Sequence, residues 1–122
     1  MKIRTKIWIE NEDGEQLLGQ GRLKILEAVA REGSLSAAAR ALGMSYRALW
    51  GKVRSIEQRL GVKLVEGTSG GSNHGGAELT DDARDYMARF ASFNTQAIET
   101  VERLAEELLP AGFLTPPGEA KH

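Results

Sequence analysis

The chain has 122 residues, of which 41% are hydrophobic and 27% charged, with a formal net charge of −1. That length suits one domain, or one domain and an appendage, and is enough for a core without staples. With no cysteine, disulfides and cysteine-based zinc or iron–sulfur sites are excluded, and the reducing cytoplasm is the expected compartment.

The N-terminus, MKIRTKIWIEN, has no apolar run of signal-peptide length, and no segment approaches the roughly 18 apolar residues that span a membrane. Ile3, Thr5, Ile7 and Ile9 alternate with Arg4, Lys6, Trp8 and Glu10, the period of a half-buried strand. Asn11–Gly14 (NEDG) is a turn signal, and EQLL supplies a return strand. GRLKILEAVAREG then places Leu23, Leu26, Val29 and Ala30 on one helical face, with Gly33 as its stop.

A short alanine-rich helix follows, capped by Ser34 or Ser36 and ended by Gly43. After three residues a second helix runs from Ser45 to Leu60 and ends at Gly61. Two helices that cross steeply need a small residue where they touch. Ala39 stands four residues before Gly43, where that contact falls, and Gly43 permits the tight turn. Leu35, Leu42, Leu49 and Val53 complete the shared core. This spacing predicts a helix-turn-helix over residues 34–60. Alanine-rich hairpins without a DNA role use the same packing.

At about 100° per residue, Leu49, Val53, Ile56 and Leu60 share one side of the second helix, with Tyr46 and Trp50 at the core margin. The other side carries Arg47, Ala48, Gly51, Arg54, Ser55 and Gln58. Small residues there let a helix approach the floor of a major groove. Arg47, near the helix start, has the reach for a guanine edge. Lys52 and Arg54 suit phosphates, as do Ser45 and the helix N-terminus. Residues 1–60 hold eleven Lys/Arg against seven Asp/Glu, while residues 61–122 hold five against ten. Between Ser34 and Arg59 five bases, including Arg40, face the single acid Glu57. Such a stretch is either a solvated helix surface or the footprint of a polyanion.

GVKLVEG reads as a short strand and AELT as its partner. Between them five glycines fall in the ten residues from Gly67 to Gly76. A phosphate-binding P-loop needs GxxxxGK[ST], but GTSGGSNHGG has no lysine and no helix directly after it. The stretch is instead the tip of a wing over residues 63–80. His74 and His122 are the only histidines, one in this loop and one ending the chain, so neither a histidine metal site nor a triad is expected.

Thr80 or Asp81 caps a long last helix, about 81–109, stopped by Pro110. Asp81, Asp82 and Asp85 suit the positive end of its dipole better than they suit a metal ion. Ala83, Met87, Phe90, Asn94, Ala97, Val101, Leu104 and Leu108 recur at spacings of three and four, a heptad seam with one polar member. Tyr86, Phe93, Ile98 and Ala105 widen the apolar face, so the helix is expected to pack on its own domain and on a second copy. Residues 111–122 read as a loose tail.

SLSAAARALGMSYRALWGKVRSIEQRLGVKLVEGTSGG…GGAELT resembles the N-terminal DNA-binding domain of the ModE family, the molybdate-dependent transcriptional regulators. It is similar, more distantly, to the LysR-type winged helix. The marks are SYRALW at the start of the second helix, the LxVE step out of it and GG…GGAxLT in the wing. The resemblance covers residues 3–110. It implies a mostly helical fold with little β structure: a winged helix-turn-helix with an N-terminal hairpin and a long dimerisation helix. It further implies a cytoplasmic homodimeric regulator, not an enzyme, with one recognition helix per subunit in the major groove of double-stranded DNA. Ser45, Tyr46, Arg47 and Arg54 would then lie at the DNA, with Arg40, Gly51, Lys52 and Ser55 around them. The family's oxyanion-binding domains have no counterpart in this sequence, so molybdate sensing does not carry over and no cofactor is expected. Family wings tend to carry a basic residue. Val65–Thr80 has none, and Ser69, Ser72, Asn73, His74 and backbone N–H groups are what it offers to DNA. The rival reading is a winged helix that serves as a protein-interaction or dimerisation module without binding DNA.

Overall fold

A computed structural model describes residues 2–68 and 76–114. The elements in order are β1 (Trp8–Glu10), β2 (Gln16–Gly19), α1 (Gln20–Glu32), α2 (Leu35–Leu42), α3 (Tyr46–Leu60), β3 (Val65–Gly67), β4 (Ala77–Leu79) and α4 (Asp81–Leu108). This is a winged helix-turn-helix. The chain divides into two units, Ile7–Phe90 and Met1–Lys6 with Ala91–His122.

The unit Ile7–Phe90 holds the core. Local signals start and stop its helices. Ser34 Oγ accepts from Ala37 N–H at 3.1 Å and caps α2, so Ser34 and not Ser36 is the cap. Ser45 Oγ does the same for α3, from Ala48 N–H at 3.1 Å. Gly43, at φ 70°, takes the left-handed turn between them, where a Cβ would be strained. Its N–H donates to Arg40 O at 3.1 Å, and Met44 N–H donates to Ala39 O at 3.0 Å. Ala38, Ala39, Leu49, Val53 and Ile56 are buried together with Leu26, Ala28 and Val29 of α1. Leu35, Leu42 and Leu60 pack partly buried against them. Burying each large aliphatic side chain contributes roughly 1.5–3 kcal/mol.

Two expectations for the N-terminal region change. The first strand begins at Trp8, not Ile3. Its register pairs Trp8 with Gly19 and Ile9 with Leu18, and Gly19 is the last strand residue before α1. Residues ahead of Trp8 therefore have no strand left to pair with. In α1, Ala30 is exposed while Ile25 and Ala28 are buried. The helix packs against α2, β2 and β4, so its buried arc is set by three neighbours and not by one stripe.

The wing is a two-stranded antiparallel ribbon pairing Val65 with Leu79, Glu66 with Glu78 and Gly67 with Ala77. It is anchored at its base. Glu57 Oε2 accepts from Leu64 N–H at 2.8 Å and from Val65 N–H at 3.2 Å. Ala77 N–H donates to Gly33 O at 2.9 Å, and Ser34 bridges to Gly76. Thr80 Oγ1 donates to Lys63 O at 2.7 Å and accepts from Ala83 N–H at 3.1 Å, so Thr80 is the cap of α4.

Within the same unit, Phe90 of α4 packs with Leu18 and Leu23, and Ala83 lies in the main core. In the other unit, Ala97, Ile98, Val101 and Ala105 are half-buried, and Phe93, Leu104 and Leu108 are 53%, 49% and 69% exposed. Among the described residues no helix is long and apolar enough to cross a membrane.

Candidate nucleic-acid interface

The outer face of α3 exists because its inner face is fully spent. Leu49 and Val53 are wholly buried and Ile56 almost so, which fixes the rotation of the helix and turns residues half a turn away outward. Ser45, Arg47, Ala48, Gly51, Lys52, Arg54 and Gln58 are exposed, and Ser55 is half-buried. A Cβ on Gly51 would meet nothing within 4 Å, so packing does not demand glycine there.

The margin residues separate. Trp50 is half-buried against the core, as expected, whereas Tyr46 is 51% exposed. The Arg54 guanidinium carbon lies 5.6 Å from the centroid of the Trp50 ring, a cation–π contact one helical turn long. Arg54 thus lies on the Trp50 side of the face. Arg40 sits apart from these residues, exposed in the last turn of α2, where its charge also complements the helix dipole. Ser69 and Asn73, with Ser72 and His74, lie outside the described residues.

One base leaves the basic stretch. Arg59 donates to Gln16 O at 3.0 Å and pairs with Glu15 at 3.5 Å, tying the end of α3 to the N-terminal hairpin. Its neighbour Arg22 has a buried Nε with no hydrogen-bond partner, and burial followed by the Arg59 charge lowers the Arg22 pKa from its usual value. No local pattern marks Arg59 as structural, because Gln16 is 43 residues away.

Sequence reading also passes over a groove of about 540 Å³ between α3 and the wing. Tyr46 and Trp50 of α3, Lys63, Glu66 and Gly67 of the wing side, and Ser36 of α2 line it. Its signal was dispersed, since the lining comes from α2, α3 and both wing strands.

The family model of bacterial regulatory helix-turn-helix proteins, lysR family, matches residues 21–84, just over half of the chain. The chain belongs to that family. The matched segment is the helix-turn-helix region of bacterial regulatory proteins. It is 33% identical over 91 residues to the molybdenum transport protein ModE of Azotobacter vinelandii, covering 75% of this chain and 34% of that protein. It is 37% identical over 59 residues to the DNA-binding transcriptional dual regulator ModE of Escherichia coli K12, covering 48% of this chain and 22% of that one. The chain thus spans about a third of the first of these relatives and less of the second. Among solved structures, the crystal structure of the CbnR DNA-binding domain in complex with DNA matches with a TM-score of 0.54 at 27% identity, covering 74% of this chain and 98% of that one.

The seam residues of α4 do not share one environment. Phe90 is 2% exposed and packs with Leu18 and Leu23, so it is a core residue with little surface to offer a second copy. Met87 is half-buried against both core clusters. Asn94, Ala97 and Val101 are half-buried, while Leu104 and Leu108 are exposed.

Proposed function

We propose that this chain is a transcriptional regulator that binds specific double-stranded DNA sequences as a homodimer in the cytoplasm, with α3 of each copy in the major groove. The observation that carries the proposal is the outer face of α3. Arg47, Lys52 and Arg54 stand exposed around the small residues Ala48 and Gly51, on a helix whose rotation is locked by a buried face. Arg47, two residues past the Ser45 cap, reads a base edge. Lys52, Arg54, Ser45 and Arg40 hold phosphates, Tyr46, Gly51 and Ser55 line the contact, and Ser69 and Asn73 belong to the wing. Residues 1–110 form the functional piece, and the later seam of α4, Asn94 to Leu108, pairs with its twin. A DNA-binding relative and a DNA-bound structural neighbour support this reading.

Selection of bound sites from random duplex DNA tests it. Two half-sites about one helical turn apart, or a multiple of it, are the expected outcome. Arg47→Ala should lose discrimination at one or two positions, at roughly 1–3 kcal/mol, and leave the dimer intact. Equal site preferences for variant and parent would refute the assignment.

A second reading is a winged helix that docks on a protein partner. The pairing of Glu66 with Glu78 in the wing favours it, because phosphates repel carboxylates. A gel shift on random duplex with and without 200 mM salt separates the two. Binding that falls steeply with salt supports the DNA reading, and no binding at low salt sinks it.

A further inference from the structure

The wing is the part of the DNA reading that fits worst, and its strand register gives the reason. Val65, Ala77 and Leu79 are buried, so the alternate positions of each strand face outward. Glu66 and Glu78 are directly opposite partners at those outward positions. Like charges in register destabilise a sheet, and this ribbon has only three residues per strand. Among the described residues neither carboxylate has a hydrogen-bond or ion-pair partner that would offset the repulsion. The stretch Val65–Thr80 contains no Lys or Arg. Glu66 lines the groove along with Tyr46 and Trp50 of α3, and the Arg54 guanidinium lies over the Trp50 ring. Glu66, on the acidic face of the wing, therefore borders α3. Lys63, in the same groove, is the lone base on that side.

We propose that Glu66 and Glu78 act as an electrostatic brake on DNA affinity. The inference rests on α3 entering the major groove. Phosphates flanking that groove then pass the wing base and meet two carboxylates instead of the bases that an anchoring wing presents. The penalty falls on every sequence alike, because it acts on the phosphate backbone. Affinity of one copy is thereby held down, and occupancy comes to depend on base contacts from α3 and on two copies binding together.

The experiment compares the full chain with E66Q/E78Q and with E102Q/E106Q, which changes net charge equally on α4. Each is titrated with random duplex and with a selected site at several salt concentrations. E66Q/E78Q should tighten both duplexes by a similar factor, about three- to tenfold at low salt, and keep the preference between them. The α4 control should change little, and thermal melting verifies that all three are folded. Unchanged affinity of E66Q/E78Q, or equal tightening by the control, would overturn the brake. Loss of preference at a cytosine would overturn it too, because it would make a carboxylate a base reader. If the folded parent binds neither duplex at low salt, the DNA reading itself fails, an outcome distinct from a parent that binds and a variant that does not differ.

Discussion

The two halves of α4 share one apolar pattern and have different fates. Up to Phe90 the pattern is consumed inside the unit Ile7–Phe90, where Ala83 and Phe90 are buried. From Ala91 onward no described residue of the helix is buried, and Phe93, Leu104 and Leu108 are about half exposed or more. A heptad repeat records that a face wants cover. It does not record whether the cover comes from the same chain or from another copy.

Three variants would break or sharpen that contrast. The largest effect is expected from Phe90→Ala, which removes a buried aromatic and should cost about 3–5 kcal/mol of stability. Chemical denaturation should show the loss at every protein concentration, since the contact lies within one unit. A loss of stability that disappeared at high concentration would instead assign Phe90 to the dimer. Next is the pair Leu104→Asp and Leu108→Asp. In the proposed dimer these should raise the dissociation constant at least a hundredfold, about 2.7 kcal/mol or more. Sedimentation at micromolar concentration should then give the monomer mass, with the melting of the Ile7–Phe90 unit preserved. A dimer of unchanged strength would remove the second half of the helix from the interface. The smallest effect is expected from Asn94→Asp. It places like charges across the seam and should weaken association by about 1 kcal/mol, the more so at low salt. Salt-independent association would place Asn94 away from its twin.

What the sequence revealed about this fold was what is decided locally. Ser34, Gly43, Ser45 and Gly61 mark the ends of α2 and α3 because a cap or a left-handed turn depends on a few neighbouring residues. The inward face of α3 was legible for the same reason, since one helix period fixes it. The start of β1 was not legible: alternation continues back to Ile3, but pairing ends where β2 gives way to α1. Arg59 read as one more exposed base because nothing near it announces Gln16 and Glu15. The cross-strand meeting of Glu66 and Glu78 was hidden too. It needs the register of a hairpin in which eleven residues separate them. The Arg54–Trp50 cation–π contact, by contrast, was available from its four-residue spacing.

Thr80 has a consequence for how this protein tolerates change. One hydroxyl donates to the Lys63 carbonyl and accepts from the Ala83 amide, so it serves the loop after α3 and the first turn of α4 together. Serine preserves both roles. Aspartate retains the acceptor and forfeits the donor, and valine keeps the shape while forfeiting both. Permitted exchange at this position is narrowed by the number of obligations on a single atom and not by depth in the core, so a survey of burial alone would rank it as freely variable.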